Sequence, residues 1–245
     1  MMDVDASVTA LCAVFGLLAG AVVGSFAATA AMRLADGRNP FFGRSQCDGC
    51  ARTLGWAETL PFAGYIAARG HCRACGGRIA GFHLAGEGAG ALALAMPLIL
   101  LPGWIGAVTG VLCLLLLSAA LIDAKTLRLP DLLTAAVAGC SLYLAWASDQ
   151  LVVGLVAAAV SGGVLYAVKL WLEYGKGVPM LGLGDVKLVA VLALWLNLRT
   201  PIMLAVAATL GLVLIRRHKG LLPFGPMIAV ASFVVGVFVP QSWFL

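Results

Sequence analysis

Charge is what this sequence has least of. Asp, Glu, Lys and Arg make up only 11% of its 245 residues, against 62% hydrophobic, and the mean hydropathy is +1.03. Soluble domains carry about 25% charged residues, so a soluble fold is excluded and the chain is read as a polytopic membrane protein. No basic n-region precedes the first apolar run, which follows Asp3 and Asp5 instead. A cleaved secretory signal is therefore not expected, and that run is read as a retained span. Gly86-Glu87-Gly88-Ala89-Gly90 has no strand before it and opens an apolar run. It lacks the setting of a dinucleotide loop, and its small residues are read as letting helices pack closely. The net charge of +5 calls for no nucleic acid, because membrane topology accounts for it.

What the chain does have is apolar length. Windows at 8–32, 84–101, 104–122, 131–148, 151–172, 186–199, 201–215 and 221–240 predict an all-α membrane bundle of about eight spans, a crossing needing about 20 residues. The sixth and seventh windows are short, with Pro201 between them, and also admit a tilted or re-entrant pair. This divides the chain into a first span (1–32), a cytoplasmic loop domain (33–83) and a transmembrane core (84–245). Every Lys and Arg except Arg199 falls in 33–80, 123–130, 169–187 or 216–220. Basic residues accumulate in cytoplasmic loops, so these four regions are placed inside and both termini outside.

On that topology Asp123 ends the third span as the chain enters the cytoplasm, and Asp185 begins the sixth as it leaves. The two share a depth. An ionisable group at a span boundary is costly to bury and is a functional candidate by default. Two acids held together in a low-dielectric site share one proton, so one can deprotonate water while the other polarises a carbonyl. The glycines before Asp185, at 175, 177, 182 and 184, would let an extended substrate approach closely. Hydrated loop acids are the plainer reading of the pair, and a transporter or scaffold using both as ion-binding acids is the alternative of a different class.

The loop between spans one and two holds Cys47-Asp-Gly-Cys50 and Cys72-Arg-Ala-Cys75, separated by 21 residues. Four thiolates from two tight turns complete the tetrahedral shell of a structural metal, with Zn²⁺ favoured by ligand softness. Two disulfides compete with that reading, but the arginines place this loop in the reducing cytoplasm. Cys12, Cys113 and Cys140 lie inside spans and are read as small apolar side chains. His71, His83 and His218 are read as surface residues.

Several of these segments together resemble a known family. Leu181-Gly182-Leu183-Gly184-Asp185-Val186-Lys187-Leu188 carries the GxGD-type signature of intramembrane aspartyl proteases and is similar to the form found in type IV prepilin peptidases. Ile122-Asp123 through Pro130-Asp131 resembles that family's first aspartate motif, and Pro223-Phe224-Gly225-Pro226 its proline-glycine element. The resemblance implies Asp123 and Asp185 as the catalytic pair, supported by Asp131, Gly182, Gly184 and Lys187. Gly24-Ser25-Phe26, Trp56 through Pro61, Arg69-Gly70-His71-Cys72 and Glu87 resemble the form that also methylates its product. That form implies S-adenosylmethionine as methyl donor, with Gly70 and Glu87 in methyl transfer; a snorkelling interfacial acid is the equal alternative for Glu87. The implied substrates are prepilin or pseudopilin precursors, cut after a short basic leader at the bacterial inner membrane. Two departures, Gly-Ser-Phe followed by Ala27-Ala28 and Phe82-His83-Leu84 before the glutamate, fall in the half associated with methyl transfer.

Overall fold

A computed structural model describes residues 6–176, 181–215 and 223–240. Asp3, Asp5, Gly177, Arg216, Arg217, His218 and Lys219 lie outside the described residues. The described chain is all helix: α1 (Ala6–Ala35), α2 (Ala63–Ala67), α3 (Gly81–Leu100), α4 (Gly103–Thr126), α5 (Asp131–Ala147), α6 (Leu151–Lys176), α7 (Leu183–Leu196), α8 (Thr200–Ile215) and α9 (Gly225–Phe238). Single 3-10 turns sit at Trp56–Glu58 and Asn197–Arg199. Apart from the short α2, each helix coincides with one of the eight apolar windows. By length and composition alone, five helical stretches could cross a membrane, with Leu183–Leu214 counted as one and α5 and α9 falling short.

The direction of each helix follows from what its ends touch. Lys125 at the end of α4 sits over the Phe82 ring at the start of α3, 4.4 Å from its centroid. Gly184 at the start of α7 lies against Leu129 in the turn after α4. The Gly225 amide, at the start of α9, reaches Asp123. These starts and ends therefore share one end of the bundle. At the other end Arg199 donates to the Val239 carbonyl after α9 (2.8 Å), and the start of α6 at Gly154 meets the end of α7. Helix α8 must then run back antiparallel to α7, as its Gly211 beside Phe224 confirms. The sixth and seventh windows are thus a reversing pair, hinged where Asn197 takes a φ of 52°.

Among the described residues Arg199 is the one basic residue at the far end, and it is buried at 4% exposure. Its guanidinium donates to the carbonyls of Leu196, Trp195 and Val239, groups that helix ends leave without intrahelical partners. The core sits among α4, α5, α7, α8 and α9, built on Leu112, Leu116, Val137, Leu144, Leu188, Leu192, Met203 and Ile228. Helices α1 and α3 form a second unit by a different means. Lipid gives two apolar helices no hydrophobic reason to associate, so close backbone contact must do it. A Cβ on Gly24 would stand 2.1 Å from the Gly86 carbonyl oxygen, and one on Gly20 would stand 2.2 Å from that of Gly90.

Gly24→Leu is therefore expected to push α1 off α3 and cost at least about 1–3 kcal/mol. Thermal unfolding of the purified protein in detergent checks this, and an unchanged midpoint would contradict the packing.

Candidate functional site

Asp123 lies in the last turn of α4, 6% exposed. Its Oδ2 accepts a hydrogen bond from the Gly225 backbone N–H at 2.9 Å. Glycine is required at 225 by space: a Cβ there would come within 2.7 Å of the same oxygen. Asp185 occupies the first turn of α7, half-buried, with Gly182 as the N-cap residue. Gly184, the residue before Asp185, lies against Leu129 in the turn after α4, which puts Asp185 at the same end of the bundle as Asp123. Helices α7 and α9 both begin at this end of the bundle, and the Gly225 N–H at the start of α9 is donated to Asp123. A pair of acids held this way, at one end of a bundle and beside a backbone donor, can activate water against a polarised carbonyl.

The expected supporting residues divide by position. Gly182 approaches Asp185 itself, since a Cβ there would meet its Oδ2 at 3.0 Å. Gly184 lets α7 pack on Leu129, where a Cβ would meet the leucine Cβ at 3.2 Å. Asp131, at the start of α5, faces Lys187 rather than the pair: Lys187 Nζ donates to its Oδ1 at 3.0 Å, and both side chains are well exposed. The Asp131–Lys187 bridge thus ties the start of α5 to α7 beside the acids. Gly225 was legible as part of a motif, but nothing in the sequence told what its amide does.

The four loop cysteines come together, their Sγ atoms all within 4.8 Å of one another. Each CxxC pair forms the same knuckle. Cys47 N–H bonds to Arg52 O and Ala51 N–H to Cys47 O; Cys72 N–H bonds to Gly77 O and Gly76 N–H to Cys72 O. Isolated bridges, Gln46 with Thr53 and His71 with Arg78, close the two turns. The Cys47 and Cys75 sulfurs stand 3.8 Å apart, the edge of a tetrahedron whose metal–sulfur bonds are about 2.3 Å. Backbone N–H groups of Cys75 and Ala74 lower the Cys72 thiol to about 6. At Cys50 the Arg52 amide also lowers, but desolvation and the crowding of the Cys75, Cys47 and Cys72 sulfurs outweigh it and push the thiol up to about 11. Four sulfurs at this spacing fit a single tetrahedral metal ion. Cys12, Cys113 and Cys140 take no part in it.

Glu87, on α3, is 8% exposed and is held from two sides. Ser25 Oγ on α1 donates to its Oε1 at 3.0 Å, and the Phe62 N–H of the loop donates to its Oε2 at 2.8 Å. It is thus an inward-facing carboxyl and not a snorkelling one. Ser25 and Phe62 were not singled out as site residues on the sequence, because neither carries a charge or a metal ligand. Gly70 adopts a φ of +71° beside Tyr65.

Comparison with known proteins matches the chain in two stretches. Residues 18–100 match the family model described as the bacterial peptidase A24 N-terminal domain, and residues 110–240 match the type IV leader peptidase family. A prepilin leader peptidase/N-methyltransferase of Burkholderia pseudomallei (strain 1026b) is 33% identical over 199 residues, covering 76% of this chain and 64% of the relative. The protein of that name from Aeromonas hydrophila is 31% identical, over 78% of this chain and 70% of its own length. The one from Klebsiella pneumoniae is 32% identical, over 75% and 84%. This chain therefore spans just under two thirds of the Burkholderia relative. No solved structure matches it.

Because both partners of the Asp131–Lys187 bridge are well exposed, it contributes no more than about 1 kcal/mol. Asp131→Asn is expected to leave the thermal unfolding midpoint nearly unchanged, and a loss of several kcal/mol would assign Asp131 a structural task that the geometry does not.

Proposed function

Since the chain belongs to the type IV leader peptidase family, we propose that it is a membrane aspartyl endopeptidase that removes the short basic leader from type IV prepilins or pseudopilins. Asp123 and Asp185 are its catalytic acids. The observation that carries this reading is the placement of both acids at one end of the bundle, with the Gly225 amide on Asp123. On this reading that end faces the cytoplasm of a bacterial inner membrane and both termini lie outside, in accord with the basic residues that gather there. Among the described residues Arg33, Arg38, Arg44, Arg52, Arg69, Arg73, Arg78, Lys125, Arg128, Lys169 and Lys187 all sit on the side of the acids, with Arg199 alone at the far end.

In the proposed chemistry one carboxylate takes a proton from water while the other, protonated, donates to the carbonyl of the bond being cut. The Gly225 N–H fixes the Asp123 carboxyl so that it need not reorient during the step. Gly182 and Gly184 leave room around Asp185, and the Lys187–Asp131 bridge holds α5 to α7 beside it. The substrate's apolar helix stays in the bilayer, which holds the scissile bond at the depth of the acids. A transporter would place its acids near mid-bilayer between repeated halves; acids at a helix end beside a backbone donor favour hydrolysis.

The relatives' shared name also supports a second activity, N-methylation of the new N-terminal residue, with S-adenosylmethionine supplying the methyl group and Gly70 and Glu87 on the methyl-transfer side. The loop domain at 33–83 is the second part of the three-part division, between the first span and the protease core. Cys47, Cys50, Cys72 and Cys75 would hold one structural Zn²⁺, which organises a loop too poor in aliphatic residues to build its own core.

Asp123→Asn and Asp185→Asn should each abolish shortening of a prepilin-like precursor while the protein stays in the membrane fraction. Mass spectrometry of the product tests this, and a variant that cuts at the wild-type rate would reject the dyad. Purified protein should carry about one zinc per chain, lost in Cys72→Ser together with thermal stability. Elemental analysis finding no metal in a protein of full stability would reject the zinc site.

A further inference from the structure

Exposed apolar side chains belong on the lipid-facing sides of spanning helices, yet the loop that leaves α1 carries two of the largest. Phe41 and Phe42 are 68% and 79% exposed. Their level along the span is set by a ring contact, the Phe41 and Phe26 centroids lying 6.2 Å apart. Phe26 stands nine residues before the end of α1 at Ala35, about 14 Å back along the helix at 1.5 Å per residue. It also closes a stripe of exposed residues at helical spacing, Phe15, Leu18, Val22 and Phe26, on the side of α1 away from the glycines that pack on α3. Phe41 and Phe42 extend that stripe. A second segment of the loop domain reaches the same level, because the Phe62 N–H and the hydroxyl of Ser25, next to Phe26, both donate to Glu87.

The backbone of the loop is prepared for such a place. Irregular chain at membrane depth persists only where its polar groups find partners within the protein. Arg33, seven residues after Phe26 and so on the same stripe, is buried at 8% exposure. Its guanidinium donates to the carbonyls of Pro40 (3.4 Å), Phe42 (3.3 Å), Gly43 (2.9 Å) and Arg44 (3.1 Å). The Asn39 carboxamide oxygen accepts the N–H groups of Phe41 (2.9 Å) and Phe42 (3.2 Å), and Pro40 has no N–H to satisfy. A loop surrounded by water needs none of these bonds, since water would supply them. Here the polar atoms are turned inward onto Arg33 and Asn39, and two phenyl rings are left outside.

We propose that Phe41 and Phe42 enter the acyl region of the bilayer at this end of the bundle, held there by the Arg33 carbonyl cage, so that the loop domain is set into the membrane surface. The occupant of this apolar face is lipid, because the face is continuous with the span surface of α1. Arg38 and Arg44, on either side of the pair, are long enough to carry their charges to the headgroups while the rings stay below. Anchoring the loop in this way fixes the height of the cysteine knuckles against the bilayer. The proposal rests only on α1 spanning the membrane and stands apart from the peptidase and methyl-transfer readings.

The test uses the full-length protein in vesicles of phosphatidylethanolamine and phosphatidylglycerol, with photoreactive p-benzoylphenylalanine in place of Phe42 or, for comparison, of the exposed Arg73 on the second knuckle. Illumination should give acyl-chain adducts several-fold more abundant at position 42 than at 73, read by mass spectrometry of the labelled peptides. Equal yields, or cross-links at 42 to a second copy of the chain in place of lipid, would overturn the proposal. Phe42→Trp keeps Arg33 and the photolabel out of the measurement: its added emission over the wild type should be quenched by lipids brominated on the acyl chain, and full emission in those lipids would overturn it as well. Arg33→Leu, which removes the donors to four carbonyls, should cut the adduct at 42 several-fold while the chain stays in the membrane fraction. An undiminished adduct would overturn the role given to the cage.

Discussion

A carboxyl buried at the end of a membrane bundle, as Asp123 is at 6% exposure, must draw donors from the protein. Asp123 draws one from the Gly225 backbone, 102 residues further along the chain. That bond, made where no side chain larger than hydrogen fits, fixes the start of α9 to the end of α4. The remaining order follows from it. With α9 beginning beside Asp123 and ending at Arg199, α8 has to return toward the acids, and the short helices α7 and α8 become a reversing pair.

Much of this was legible in the sequence, and the legible parts share a cause. Composition and apolar run length report burial in lipid directly, which is why the eight windows coincide with helices. Loop arginines report which loops lie together, and the paired CxxC spacing reports a tetrahedral sulfur cluster because each knuckle is a local turn. That Asp123 and Asp185 lie at one end of the bundle was readable for the same reason, since topology alone gives the two acids one depth. What could not be read rests on backbone atoms and empty space. The Gly225 amide, the Phe62 amide on Glu87 and the room that Gly70 leaves for Tyr65 involve groups that every residue carries or that glycine lacks. Pro201 signals a break without its direction; the contacts of Arg199 and Gly211 supply that.

The two halves are built on different physics. Around α4, α5, α7 and α9 large aliphatic side chains interlock, and the acids sit at the rim of a rigid core. Between α1 and α3 the helices approach until carbonyl oxygens nearly touch the facing glycines, so the backbone itself is the interface. Such an interface tolerates no larger residue and positions helix ends closely. Ser25 on α1 and Glu87 on α3 are the beneficiaries, because their hydrogen bond forms only if those two helices keep their register.

Where the halves meet bears on how two reactions could be run on one substrate. Lys125, two residues from Asp123, stacks on Phe82, five residues from Glu87. Both candidate centres thus open at the same end of the bundle, on neighbouring helices. A product whose apolar helix remains in the bilayer keeps its new amino terminus at that interface after the leader departs. Lateral diffusion in the membrane plane would then suffice to carry the terminus from the acids toward Glu87, with no release into water. That geometry would give one chain a reason to hold both proposed chemistries, with the cysteine-clasped loop over α1 and α3 instead of over the α4–α9 core.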